Sequence, residues 1–423
     1  MKRAANVIKA RRRKGRAIKM SQGFRLAAGA LLLATVTSIS TPVWAADAPG
    51  VTATEIKIGS VFPFSGPASS IGLTGRGIIA YVQSVNDRGG VNGRKINYIA
   101  LDDAYSPPKA FEHARRLVES DVVAFMFGQL GTAGNSAVAK YLAAKAVPTI
   151  AIFSGASKFT NVKDYPLTTT GLVSYDTEGK IYAKYLTRTL PTAKYAILYQ
   201  NDDLGRDYVN AFKAVLGADF DKRVVTASYE VTEPTVDSQV VSLKSSGAAA
   251  LFVAGTPKFA AQAIRRAAET GWKATIIINY PSSSIGGTLA PAGLENSIGV
   301  IVGTMNKDPT DPKWSDDLGV KAYRAFFEKY LAGSDITNTS YLAGYQQGVL
   351  LEQILKQCVD DLSRANIIKQ AKSLKDFVQP TALPGISINT SATNNMVWTQ
   401  LQLQRWTGTT WEKVSEVLDA GSE

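Results

Sequence analysis

The chain has 423 residues, with 47 Lys and Arg against 35 Asp and Glu, one His and one Cys. Ten of the basic residues and no acidic one precede residue 46, so the rest carries 37 against 35, a formal charge of +2 rather than the +12 of the whole. The basic excess therefore belongs to the start of the chain, which takes away the main support for a nucleic-acid partner, and the single Cys358 has no disulfide partner within the chain.

The chain opens with a basic stretch, a short apolar run at 26–36, polar residues to Thr41 and then Pro42-Val43-Trp44-Ala45. That order predicts a secretory signal peptide over 1–45, cleaved after Ala45, and export from the cytoplasm. The apolar run is too short to span a bilayer. Met20 is an alternative start, and Arg11-Arg12-Arg13 lacks the hydrophobic residues that follow a twin-arginine signal. No lipobox cysteine stands near Ala45.

Residues 55–61 alternate like a strand and run into a Pro- and Gly-rich loop at 62–67. A helix is predicted over 72–86, closed by the turn residues 87–93, and a strand over 95–101, ended by Asp102-Asp103. Ser106 and the prolines after it open a helix to 119, with Phe111, Ala114, Leu117 and Val118 on its apolar face and His113 facing water. The apolar residues 122–127 predict a buried strand. The glycine-spaced loop 128–134 follows, carrying Thr132, and Asn135-Ser136 open a helix over 137–146. A helix that starts at a strand's end gathers unpaired N–H groups and positive dipole, a seat for a carboxylate. The same pattern also describes an ordinary βα turn. A strand over 148–152 ends in a second small polar loop, 153–157.

After a connecting stretch at 164–171, a second alternating block is predicted. Its helices are 177–189, 206–216, 236–245 and 257–270; its strands are 195–199, 224–229, 249–254 and 275–278. The tail is predicted as helices over 313–331, 341–358 and 363–372, then strands over 396–406 and 411–417. Cys358 falls in the second of these helices as a packing residue. Two βα blocks in tandem imply two similar lobes, each a parallel sheet covered by helices.

Catalytic parts are scarce. A lone water-facing histidine gives a serine or cysteine nucleophile no credible base. No His/Cys spacing fits zinc, no phosphate loop is present, and the glycines miss the dinucleotide spacing. Asp102-Asp103 and Asp202-Asp203 could hold a metal or act as acid and base, but turn and capping roles explain them as well. The composition points to binding rather than to an enzyme, with no cofactor or metal.

Three stretches now carry a pattern: Ile56-Lys-Ile-Gly-Ser-Val-Phe-Pro-Phe-Ser-Gly-Pro67, Asn86-Asp-Arg-Gly-Gly-Val-Asn-Gly-Arg94 and Asp102-Asp-Ala-Tyr-Ser-Pro-Pro-Lys-Ala110. With Tyr199-Gln-Asn-Asp-Asp-Leu-Gly205, they resemble the leucine/isoleucine/valine-binding proteins of bacterial ABC importers, over nearly the whole chain after the leader. The resemblance implies an α/β type I periplasmic-binding-protein fold, two Rossmann-like lobes joined by three hinge strands with the ligand cleft between. One lobe would hold 51–171 plus about 306–383, the other 172–305 plus about 384–420. It further implies a monomer that meets ABC permease subunits in the inner membrane.

For the site, the resemblance implies a ligand carboxylate held by Thr132, with Leu130 and Gly131 beside it, and by a second segment, Ser154, Gly155, Ala156 and Ser157. The sequence departs from the family at the ligand's other end. The acid expected after 275–278 is replaced by Asn279-Tyr280, the aspartate expected after the first crossing by Leu172-Val173, and the tyrosine after Gly255 by Thr256. An ammonium buried without a counter-charge is costly. Phe62, Phe153, Tyr175 and Tyr280 offer aromatic walls instead. The sequence thus favours an aromatic or aliphatic carboxylate, with a branched-chain amino acid still open and Asp202 or Asp203 as the partner of its ammonium. A periplasmic ligand-sensing receptor module of the same fold is the alternative function; a secreted enzyme is a more distant one.

Overall fold

A computed structural model describes residues 48–419. The predicted leader lies outside the described residues.

The first sheet is built from β1 (Glu55–Phe62), β2 (Lys95–Asp102), β3 (Phe125–Phe127), β4 (Thr149–Ile152) and β5 (Thr168–Thr170), all parallel, in the order β2-β1-β3-β4-β5. The connections are α1 (Ser69–Asp87), α2 (Pro107–Glu119) and α3 (Thr132–Ala144). The two-residue period of a strand sorts β3 between two cores. Phe125 and Phe127 join the cluster that holds Ile78 and Val82 of α1, whereas Met126 joins Ala114 and Leu117 of α2 and Leu142 of α3. Helices on both faces explain why the short central strands are apolar throughout.

The second sheet comprises β6 (Tyr195–Gln200), β7 (Val224–Tyr229), β8 (Ala250–Ala254), β9 (Thr275–Ile278), β10 (Ile301–Thr304), β11 (Gln400–Trp406) and β12 (Trp411–Asp419). Its order is β12-β11-β10-β9-β8-β6-β7, parallel except that β11 pairs antiparallel with both β10 and β12. Between the strands run α4 (Tyr175–Thr189), α5 (Asp203–Leu216), the single turn α6 (Phe220–Arg223), α7 (Asp237–Ser245), α8 (Pro257–Glu269) and the short α9 (Ala290–Ala292). Here too alternate residues divide: Phe252 of β8 meets Tyr182, Tyr208 and Phe212, while Leu251 and Val253 meet the α7 and α8 side.

Between β10 and β11 come α10 (Leu318–Tyr330), α11 (Ser340–Cys358) and α12 (Arg364–Ala371). Helix α11 returns to lie against α1. Their backbones approach so closely that a Cβ on Gly77 would sit 2.6 Å from the Tyr341 carbonyl oxygen and 2.9 Å from the Gly344 Cα. The chain thus passes between the two sheet regions after β5, after β10 and before β11. Two isolated bridges accompany these passages, Thr170 with Met396 and Asn306 with Ala382.

Several sequence expectations need correction. Strand β3 is only three residues long. Val122 has φ +54 and is 44% exposed, and the Arg364 guanidinium, rather than a neighbouring strand, takes the carbonyls of Val123 and Ala124. Helix α3 begins at Thr132, five residues early, because the turn is made by Gly131 at φ +109 and not by Asn135-Ser136. The stretch 164–171 contains β5, and β10 was not expected. The predicted helix over 313–331 breaks into a turn at Pro312–Trp314 and α10, whose N-terminus is capped by Asp317. On α2, Phe111 lies outside and meets Tyr141 edge-on, Ala110 takes the buried place, and Ser106 makes no side-chain cap. His113 is half-buried, with Nε2 3.0 Å from the Asp102 carbonyl oxygen. Cys358 is buried in α11.

Candidate functional site

The loop between β3 and α3 is shaped by its own backbone. Gly128 and Gly131 both take positive φ. Asn135 holds the loop from within, its Nδ2 donating to the carbonyls of Gln129 (3.1 Å) and Gly131 (2.8 Å). The N–H groups of Leu130 and Gly131 are spent on Val61 and Phe153 carbonyls. Leu130 and Gly131 therefore frame the loop. The donors at the helix end are the first-turn N–H groups from Thr132 onward, which lie before the first intrahelical acceptor.

The Thr132 hydroxyl is buried at that helix end, 2.8 Å from the Ser154 hydroxyl and 3.3 Å from the Tyr175 hydroxyl. Ser154 follows β4; Tyr175 opens α4 on the other side of the first inter-sheet passage. Gly155 allows this meeting, since a Cβ there would collide with the Val173 carbonyl and lie 2.7 Å from the Tyr175 ring. The Tyr175 N–H donates to the Gly155 carbonyl at 2.7 Å, and Ala156 is wholly buried beside it. Burial pushes the Tyr175 hydroxyl up to about 12, against the Thr132 bond that lowers it, so it keeps its proton and can donate. Three hydroxyls at the positive end of a helix can together solvate a carboxylate without any cation.

Tyr105 joins this loop to the second sheet. It has φ +63, with its N–H held by the Asp103 carboxylate at 2.8 Å, and its ring would lie 3.0 Å from a Cβ on Gly131. Such strain at a non-glycine residue gathers at functional sites. The Gln200 amide at the end of β6 donates to the Tyr105 hydroxyl (3.4 Å) and to Asp202 (2.6 Å). Asp202 caps α5 through the N–H of Leu204. Burial, and after it the Asp202 charge, hold the Tyr105 hydroxyl well above its ordinary value; burial likewise raises Asp202 itself. Asp103 is buried too, and burial pushes its carboxyl up to about 6.

The remaining predicted residues spread outward. Thr256, buried at the start of α8, gives its N–H to the Tyr229 hydroxyl at 3.3 Å. The Tyr280 hydroxyl accepts from Asn306 at 2.9 Å. Phe62 is wholly buried against Phe64, between Gly75 and Gly128, and so belongs to the first core. Ser157 binds Asp207 through its N–H (2.6 Å) and hydroxyl (2.9 Å), and Asp203 pairs with Lys158 at 2.6 Å. Ser157 and Asp203 thus tie the two sides together at a half-exposed rim, away from the hydroxyl trio.

The structure also brings in residues that the sequence did not mark. Glu178 of α4 is buried, and its carboxylate accepts from the hydroxyls of Tyr182 (2.6 Å) and Tyr208 (2.5 Å) and from the Tyr280 N–H (2.6 Å). Burial pushes its carboxyl up to about 7. It stands next to Asn279-Tyr280, where the family resemblance led us to expect an acid.

A family model described as periplasmic binding protein matches residues 55–410. The chain belongs to this family. Over 233 residues, this binding protein is 27% identical to Leu/Ile/Val-binding protein homolog 7 of Brucella abortus, a match covering 53% of this chain and 58% of that relative's length. A branched-chain amino acid ABC transporter protein from Thermus thermophilus, solved with bound valine, superposes with TM-score 0.78 at 15% identity, over 88% of this chain and 98% of that one. An ABC-transporter solute-binding protein of R. palustris, solved with 4-hydroxybenzoate, superposes with TM-score 0.70 at 18% identity, over 86% of this chain and 97% of that one. These likenesses show the type I periplasmic-binding-protein fold. Family and fold are those of extracytoplasmic solute-binding proteins rather than enzymes. Among the described residues, no helix is long and apolar enough to cross a membrane, and no acidic, His or Cys cluster could hold a metal.

Proposed function

We propose that this protein is the periplasmic solute-binding component of an ABC importer. It captures a small carboxylate-bearing ligand by closure of two lobes and presents the closed form, as a monomer, to permease subunits in the inner membrane. The lobes are 51–171 with about 306–383, and 172–305 with about 384–420, and the three passages between the sheets form the hinge. The observation that carries this reading is the buried trio Thr132, Ser154 and Tyr175. Two of its hydroxyls come from the first-sheet side and the third from the opposite proposed lobe, so a ligand oxygen that takes over these bonds touches both lobes.

The carboxylates near the trio are committed elsewhere: Asp202 to the start of α5 and to Gln200, Glu178 to two tyrosines and a backbone N–H. That supports an aromatic or aliphatic acid over an α-amino acid. One observation favours the second reading, a branched-chain amino acid: Asp202 acts electrostatically on Tyr105, Tyr175 and Tyr229, the neighbourhood where an ammonium would need it. Thermal melting of the chain from residue 46 onward decides between them. The panel holds leucine, valine, benzoate and short aliphatic acids; ligand at a hundred times its dissociation constant stabilises by about 2.7 kcal/mol. A shift with des-amino acids alone supports the first reading, a shift with leucine or valine the second, and no shift with any acid at millimolar concentration defeats the carboxylate reading.

A further inference from the structure

After β9 the chain makes a π-helical turn, Ile285–Leu289, whose Ile285 and Leu289 join the core shared by the second sheet, α7 and α8. Such turns are rare and recur at functional sites. Gly286 of this turn meets residues 335–339, which lead into α11 and are tied to the start of α1 by the Asn338 amide donating to the Ser70 hydroxyl at 3.4 Å. The turn belongs to one proposed lobe and residues 335–339 to the other.

The seam between them is made by neutral groups. The Gly286 N–H donates to the Thr337 carbonyl at 3.0 Å. The Thr339 N–H donates to the Ser284 hydroxyl at 3.2 Å, and that hydroxyl donates to the Asn338 side-chain oxygen at 3.3 Å. Ser284 and Thr339 line the same cavity as Phe153, which precedes Ser154 of the hydroxyl trio, so seam and trio adjoin one space.

Gly286 is the tightest point. A Cβ there would run into the Asp335 carboxylate and lie 2.6 Å from the Thr337 hydroxyl and 3.0 Å from the Asn338 backbone nitrogen. All three atoms lie across the seam. On its own side the position is undemanding, since its φ is not positive and it is half-buried. Glycine is a poor residue for a helical turn, so its place here answers to what comes against it.

We propose that this seam is a closing contact, made when the lobes come together whatever ligand lies between them, and that Gly286 is the positioning residue that gives it clearance. The inference rests on the two-lobe reading above. None of the seam's bonds goes to a ligand, so the seam favours closure equally for every ligand. Holding the lobes apart lowers the fraction of protein competent to enclose a ligand, and apparent affinity falls by that fraction.

Gly286→Leu and Gly286→Ala test this. Nitroxide labels at Lys109→Cys of α2 and Lys213→Cys of α5, both exposed, report the distance between the lobes by pulsed electron resonance, and the buried Cys358 stays unlabelled. The probes are benzoate, 4-hydroxybenzoate, leucine and valine. The labelled parent populates a short separation, alone or with a probe. Gly286→Leu loses it, and calorimetric affinity falls at least tenfold, by one factor for every probe that binds. Gly286→Ala moves both in the same direction by less, and the unliganded melting temperature shifts by no more than about 3 °C in that variant. Parent-like separation and affinity in Gly286→Leu overturn the seam and leave the carboxylate reading standing. A larger melting loss in Gly286→Ala overturns it too, because the contact is then a fixed part of the fold. A parent with one separation under all conditions overturns the seam together with the two-lobe reading. If no probe binds and Gly286→Leu still removes the short separation, the carboxylate reading fails and the seam stands.

Discussion

At the scale of single residues, the proposed site depends on neutral donors, and Thr132 is the one to remove. Thr132→Val keeps the shape and deletes the hydroxyl between Ser154 and Tyr175. A hydrogen bond to a charged group is worth about 1.5–3 kcal/mol, so carboxylate affinity should fall roughly tenfold or more by calorimetry, and the Tyr175 hydroxyl left unpaired should cost the fold about 1–3 kcal/mol. Glu178 makes a different prediction. Its folded carboxyl is raised from 4.5 to about 7 by burial. Between those values the folded state holds a proton that the unfolded state has released, so this group's contribution to stability declines as pH rises from about 4.5 to about 7. Glu178→Gln should flatten that part of the stability curve in urea unfolding at a series of pH values; an unchanged slope would mean that Glu178 does not titrate there. The strand–glycine loop–helix turn that carries Thr132 was legible in the sequence, where it also fitted an ordinary βα turn, and the family resemblance singled out the hydroxyl. Glu178 was not legible: an acid in the first turn of a helix reads as a solvated partner of the dipole, and only the packing of α4 on α5 buries it. Tyr105 was hidden for a similar reason, since its role depends on a positive φ that no residue type announces.

At the scale of elements, the long helices and the strands with clear alternation were predicted to within a few residues, and β7 and β9 to the residue. Two short strands were missed. Strands β5 and β10 have three and four residues, all buried, β5 at the edge of its sheet and β10 between β9 and β11, so they show neither alternation nor length. The start of α3 was misplaced because its turn is made by glycine φ angles, whereas the polar pair that resembled a cap is already inside the helix. The α1–α11 contact is the most demanding of these packings. Gly77→Ala would push a methyl group into the Tyr341 carbonyl and the Gly344 backbone. Over-packing of that kind costs about 1–3 kcal/mol. Chemical denaturation should show that loss, whereas Gly134→Ala, inside α3 with no positive φ and only ordinary contacts at 3.4 Å and beyond for an added Cβ, should lose less.

At the scale of the whole molecule, the two sides are fastened at the rim by Lys158 with Asp203 and by Ser157 with Asp207. The first pair is more than a third exposed on both sides, so it is worth at most about 1 kcal/mol and is screened by salt. Asp203→Asn should weaken ligand affinity by no more than about fivefold, and the deficit should vanish at high ionic strength. A larger, salt-independent loss would place Asp203 against the ligand itself, as the sequence first suggested. The two-lobe plan was legible from the tandem βα order, whereas the rim contacts were not, because they join residues some fifty positions apart on separate lobes.

The hydroxyls of Thr132, Ser154 and Tyr175 already bond to one another in this structure, through Thr132. An arriving oxygen therefore adds no hydrogen bonds to an empty site; it exchanges one set for another. Exchange favours only a partner that accepts better than a hydroxyl does, and an ionised carboxylate is such a partner. The methyl ester of any acid that binds should then be ignored, although it matches the acid in outline and is the more easily dehydrated of the two. Discrimination of that sort would let the protein sort charged metabolites from their neutral derivatives with no positive side chain at the contact.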